Sequence, residues 1–117
     1  MVTGVALVLV TAPAGEPAAA LARRLVADGL AACVNLVPTI RSIYRWQGKI
    51  EDDTESLLVI KTRRECVEAL RARVIALHPY SVPEVLAFDV AEGHAPYLAW
   101  VLAQVTPPAG GARDPEP

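Results

Sequence analysis

Two hydrophobic stretches between Ala31 and Thr62 flank Gln47-Gly48, and this arrangement constrains the chain more than any other feature. Glycine reaches the positive φ that a tight turn requires, so the stretches predict one antiparallel β-hairpin. Side chains alternate across a strand, which puts Ile40, Ser42, Tyr44 and Trp46 on one face and Arg41, Ile43 and Arg45 on the other. A two-residue turn sets Arg45 opposite Ile50, Tyr44 opposite Glu51 and Arg41 opposite Thr54. Each arm holds roughly 14 to 17 residues, or ~50 Å of extended chain, whereas a compact domain of this size has a radius of gyration of about 13 Å. The hairpin therefore outreaches its own core. Ile43, Tyr44, Trp46 and Ile50 lie on the projecting part, where apolar groups need cover. The arm is expected to lie against another copy of the chain, with any functional cleft between subunits.

The 117 residues, 53% of them hydrophobic, are enough for one domain with a core that needs no disulfide or metal. Aromatic residues make up 5%, so that core is built from Val, Leu, Ile and Ala. A net charge of −2 without a basic block removes the attraction that dominates nucleic-acid binding, and membrane association lacks support for the same reason. No apolar run approaches the ~18 residues of a spanning helix, and Met1 to Gly4 lacks the positive charge of a secretory signal, so the expected compartment is the cytoplasm. Cys33 and Cys66 fall in different predicted elements and form no CxxC pair, which predicts free thiols.

Gly4 to Val10 reads as a central strand covered on both faces, ended by Thr11-Ala12-Pro13. Pro17 suits a first helical turn; Leu21, Leu25 and the Ala18, Ala22, Val26 row form a buried stripe, and Gly29 stops the helix. Pro38 removes a ladder donor from the first hairpin arm and predicts a bulge there. Thr62-Arg63-Arg64-Glu65 reads as a capping box opening a second helix, with Val67, Leu70, Val74 and Leu77 facing inward and His78-Pro79 closing it. A stiff connector, Pro79 to Glu84, precedes a last strand over Val85 to Val90. Tyr97, Val101 and Val105 mark a final helix. Residues 1–105 then form one α+β domain, a ferredoxin-like split βαβ arrangement with an extended hairpin and a C-terminal helix, and 106–117 form a disordered tail.

No motif announces catalysis: there is no glycine-rich phosphate loop, no G-x-S-x-G and no HExxH, so the chain is read as a non-enzyme. His78, ending a helix beside Tyr80 and Glu84, is suited to a transition metal or a proton, or simply to capping that helix. Cys33 is a candidate soft ligand or a small apolar core residue. Lys61, at the end of the hairpin, can meet an anion or snorkel into water. Trp46 and Trp100 are candidate pocket walls or packing anchors. The run Glu51, Asp52, Asp53, Glu55 reads as a solvated, charge-paired strand.

The segments LAACVNLVP (30–38), SIYRWQGKI (42–50), IKT (60–62), HPYSVPE (78–84) and YLAW (97–100) together resemble the CutA family of divalent-cation tolerance proteins. The resemblance reaches nearly to Gln104. It implies a homotrimer joined through the hairpins, an architecture related to PII signalling proteins, and a link to copper and other divalent cations without catalysis. It carries a metal role, with Cu²⁺ favoured, onto Cys33, His78 and Glu84. Val10 stands where some relatives carry Cys, and Gln47 and Ser81 where the family often has Glu, which removes one soft donor and two oxygen donors. The expected function is a trimeric protein that binds divalent metal or signals through an unidentified protein partner. A PII-like module holding an anion between subunits near Lys61, Tyr80 and Trp100 is the alternative, and an enzyme with His78 as acid or base is a third reading.

Overall fold

Two prolonged strands, β2 (Cys33–Trp46) and β3 (Lys49–Arg63), dominate the computed structural model, which describes residues 3–107. Around them run β1 (Val5–Pro13), α1 (Glu16–Ala27), α2 (Val67–Leu77), β4 (Val85–Asp89) and α3 (Ala95–Gln104). The sheet order is β2-β3-β1-β4, and every neighbouring pair is antiparallel. The two helical connections each pass over a strand that the next one pairs beyond, which is the ferredoxin-like arrangement the element order predicts.

The register follows the turn. Gln47 at φ 50 and Gly48 at φ 82 both occupy the left-handed region that a two-residue turn demands, and Arg45 faces Ile50, Tyr44 faces Glu51 and Arg41 faces Thr54. A register shift between Val37 and Ile40 places the bulge at Pro38. With arms of 14 and 15 residues, the Cα radius of gyration is 15.1 Å against about 13 Å for a compact chain of this length. The hairpin projects.

Strand alternation builds the core. Ala6, Val8, Val10 and Ala12 of β1 and Leu58 and Ile60 of β3 point to one side, and Ala18, Leu21, Leu25, Leu70 and Val74 of the helices close over them. Burying side chains such as Val8, Leu58 and Ile60 contributes about 1.5–3 kcal/mol each. On the opposite side α3 covers one end, where Val5, Ala32, Cys66, Val101 and Val105 form a second cluster. The rest of that side is uncovered: Leu86 and Phe88, paired with Leu9 and Leu7, are each 50% exposed.

Several local expectations are corrected. β1 continues through Thr11 to Pro13 because β3 pairs with it that far. Thr62 does not open a helix: its hydroxyl, fully buried, donates to the Leu30 carbonyl at 2.7 Å, β3 runs on to Arg63, and a 3₁₀ turn over Arg64–Cys66 precedes α2. A tertiary bond outcompetes the local cap. Val26, Leu77 and Tyr97, expected to pack inward, are about two-fifths exposed. Thr106, assigned to the tail, donates its N–H to the Gly29 carbonyl at 3.0 Å and accepts from the Cys66 thiol at 3.3 Å, while 108–117 lie outside the described residues.

Candidate functional site

The connector after α2 is drawn onto the hairpin by two residues. His78 is 8% exposed, and its Nδ1 accepts the Tyr80 backbone N–H at 3.2 Å. That leaves the hydrogen on Nε2, which lies 2.7 Å from the Thr11 carbonyl and donates to it. Both ring nitrogens are thereby engaged. The Tyr80 ring lies 4.6 Å from the imidazole, and its hydroxyl donates to Glu55 Oε2 at 2.8 Å. Two prolines in the connector limit its alternatives, so these contacts hold it against β1 and β3.

A groove of ≈ 450 Å³ lies between that connector and the hairpin, lined among others by Tyr44, Trp46, Glu55, Tyr80 and Glu84. Glu55 is only 6% exposed, whereas Tyr44, Trp46 and Tyr80 are each about two-fifths exposed, as walls of an open cleft are. The Tyr44 hydroxyl donates to Asp53. This bond, reinforced by burial and by the charges of Asp53, Glu51 and Glu55, pushes the Tyr44 phenol up to about 12. Burial, then the bond to Glu55, holds the Tyr80 phenol well above its ordinary value. Both tyrosines are neutral donors at neutral pH. On the other face of the hairpin, Arg41 holds Asp52 through two bonds of 2.6 and 2.8 Å and keeps that carboxyl below its usual range.

A second group lies at the far end of the hairpin. Cys33 faces Lys61 across the strands, with Nζ 4.0 Å from Sγ, and the same ammonium donates to Asn35. Tyr97 and Trp100 stack at 5.8 Å on α3. The Tyr97 phenol is raised, first by burial and then by the neighbouring Cys33. Cys66, by contrast, is buried, and that burial pushes its thiol up. Both cysteines are free.

One chain does not bring the candidate metal ligands together. Lys61, beside Cys33, pairs with Leu7, and Thr11, beside His78, lies about 13 Å further along β1. Glu84 lines the groove, away from Cys33. Among the described residues no three His, Cys, Asp or Glu side chains form a metal cage. Lys61 and Tyr80 are likewise separated, since Glu55 lies about 20 Å from Lys61 along β3. His78 also makes no bond to the helix it ends through its ring; the ring reaches β1 instead.

Sequence reasoning missed Glu55 and Thr11. Glu55 is the last acid before an apolar run, Leu57 to Ile60, and sits beside the Pro38 bulge; position at the edge of the core was the available signal. Nothing local marks the Thr11 carbonyl.

The chain matches the family described as CutA1 divalent ion tolerance protein over residues 6–104. It is 50% identical over 95 residues to the divalent-cation tolerance protein CutA of Thermus thermophilus, covering 81% of this chain and 92% of that one. It is 51% identical over 102 residues to the human protein CutA, covering 87% of this chain and 56% of the human one, so it spans about half that relative's length. Among solved structures, the Thermus thermophilus Cut A1 protein superposes with TM-score 0.84 at 47% identity, over 87% of this chain and 99% of that one. CutA1 from Oryza sativa superposes with TM-score 0.85 at 43% identity, over 87% and 94% of the two chains. With the projecting hairpin, the ferredoxin-like order and these likenesses, the chain belongs to the CutA1 divalent ion tolerance protein family.

Proposed function

We propose that the protein works as a cytoplasmic homotrimer in the response to divalent cations, Cu²⁺ foremost, and that it acts by binding and signalling to a protein partner and not by catalysis. The carrying observation is the hairpin tip, where Ile43 and Ile50 are each 63% exposed beyond the core. The uncovered pair Leu86 and Phe88 supports the same reading, since apolar faces of this kind are buried in closed symmetric assemblies. Three chains are the number the family resemblance implies.

The donor set limits how a metal is held. His78 has no free ring lone pair, and Cys33, His78 and Glu84 are apart within one chain, so these three do not form a site there. A site built from them requires donors from more than one subunit and a turned His78 ring. Light scattering at micromolar concentration is expected to report the mass of three chains, and calorimetry with Cu²⁺ and Zn²⁺ is expected to show saturable heat that His78→Ala and Cys33→Ala reduce. A monomeric mass would overturn the assembly, and Cu²⁺ binding indifferent to both substitutions would overturn the ligands.

The PII-like reading, an anion held between subunits, is favoured by one observation. Lys61 touches Asn35 and the Cys33 thiol, and among the described residues no carboxylate pairs with it. An ammonium without a counter-charge beside Cys33, whose charge acts on Tyr97 of the Tyr97–Trp100 stack, is suited to an anion. Saturable heat with nucleotides, lost in Lys61→Ala, would favour this reading over the first.

A further inference from the structure

We propose that the groove between the hairpin and the Pro79–Glu84 connector is a binding site for an alkylammonium group, seated on Glu55 and walled by Tyr44, Trp46 and Tyr80. Glu55 is more than nine-tenths buried and lines the groove. Its Oε2 takes the Tyr80 hydroxyl; among the described residues no other hydrogen bond and no cationic side chain reaches it. A buried carboxylate with one neutral partner lacks the compensation that buried charges require. The carboxylate keeps acceptor capacity beyond that one bond, on a residue that lines the groove.

The walls select the kind of cation. Three aromatic rings add nothing to a metal's coordination shell, whereas their faces attract an ammonium and their bodies pack against its alkyl chain. A hard divalent ion takes about six to eight oxygen ligands, and among the described residues no cluster of even three acidic or metal-ligating side chains exists. Tyr44 and Tyr80, held protonated, supply no anionic oxygen. Among the described residues no lysine, arginine or histidine lines the groove, and Glu84 at its rim adds a second carboxylate. Its volume of ≈ 450 Å³ is in the range of small-molecule sites. The same ammonium chemistry is available from a free amine and from a lysine of a second copy laid on the hairpin.

The test uses n-butylammonium chloride and the emission of Trp46 in a Trp100→Phe chain, with sodium chloride at equal ionic strength as control. A saturable change that weakens about tenfold or more in Glu55→Gln and severalfold in Glu84→Gln, with the mass in solution unchanged, assigns the groove to a free amine. Absence of a response, together with a Glu55→Gln protein that stays folded at a smaller mass, assigns it to a lysine of a second copy. The proposal is overturned by no response with an unchanged mass, by an equal change with sodium, by saturation indifferent to both carboxamide variants, or by quenching with Cu²⁺ or Mg²⁺ that blocks the amine. Glu84→Gln, at an exposed position, keeps the question decidable if Glu55→Gln fails to fold.

Discussion

The Tyr80 hydroxyl donates to Glu55 Oε2 at 2.8 Å, and this one bond joins the loop that follows α2 to the strand that carries the hairpin. It gives one hydrogen bond to a carboxylate that the fold buries at the edge of its core. Tyr80→Phe keeps the ring against His78 and removes only the donor, so it is expected to cost about 1–3 kcal/mol in urea unfolding. Equal midpoints for the two proteins would mean that solvent replaces the hydroxyl.

If the proposed assembly holds, the hairpin tip is expected to contribute to it and little to the subunit. Ile43 and Ile50 share one face, exposed at 63% each, and Trp46 lies across the pleat at 41%. Ile43→Ser with Ile50→Ser, or Trp46→Ala alone, is expected to lower the mass measured by light scattering or speed subunit exchange while the secondary structure seen by circular dichroism persists. Exchange at the parent rate in both variants would remove the tip from the interface.

Alkaline pH is expected to loosen the fold through Tyr44. Its phenol is pushed up to about 12 from an ordinary 10, chiefly by its bond to Asp53, so between those values the native chain holds a proton that the unfolded chain has released. The contribution is complete below pH 10 and is lost as pH rises toward 12. Urea midpoints recorded across that interval should fall, and less steeply in Tyr44→Phe; parallel curves would contradict the assignment. Tyr80, raised in the same direction, adds to the slope in both proteins.

Gly29 is a position where a side chain meets two obstacles. Its φ is +74, and an added Cβ would stand 2.6 Å from Thr106 Oγ1. Left-handed backbone alone costs an L residue about 1–2 kcal/mol. Gly48, in the hairpin turn with φ +82 and nothing within 4 Å, isolates that backbone cost. Gly29→Ala should therefore lower the thermal midpoint more than Gly48→Ala, and the reverse order would show that Thr106 does not pack there.

Local chemistry in the sequence determined most of the architecture. Glycine at 48, with Gln47 beside it, suits a two-residue turn, and once that turn is set the period of two dictates every cross-strand partner out to the bulge at Pro38. The length of the arms made projection unavoidable, because chain extension grows linearly with residue number while a globule's radius grows far more slowly. Tertiary structure alone decided the fates of particular polar groups. Thr62 reads locally as a helix cap, yet its hydroxyl finds the Leu30 carbonyl, separated from it in sequence by nearly the whole hairpin. Glu55 looks like one more solvated acid until the connector folds over it and supplies Tyr80. His78 looks like a free ligand until β1 presents the Thr11 carbonyl and the next turn presents an N–H. Hydrogen bonds are short-ranged and directional, so which donor meets which acceptor depends on distances between elements that no local pattern encodes.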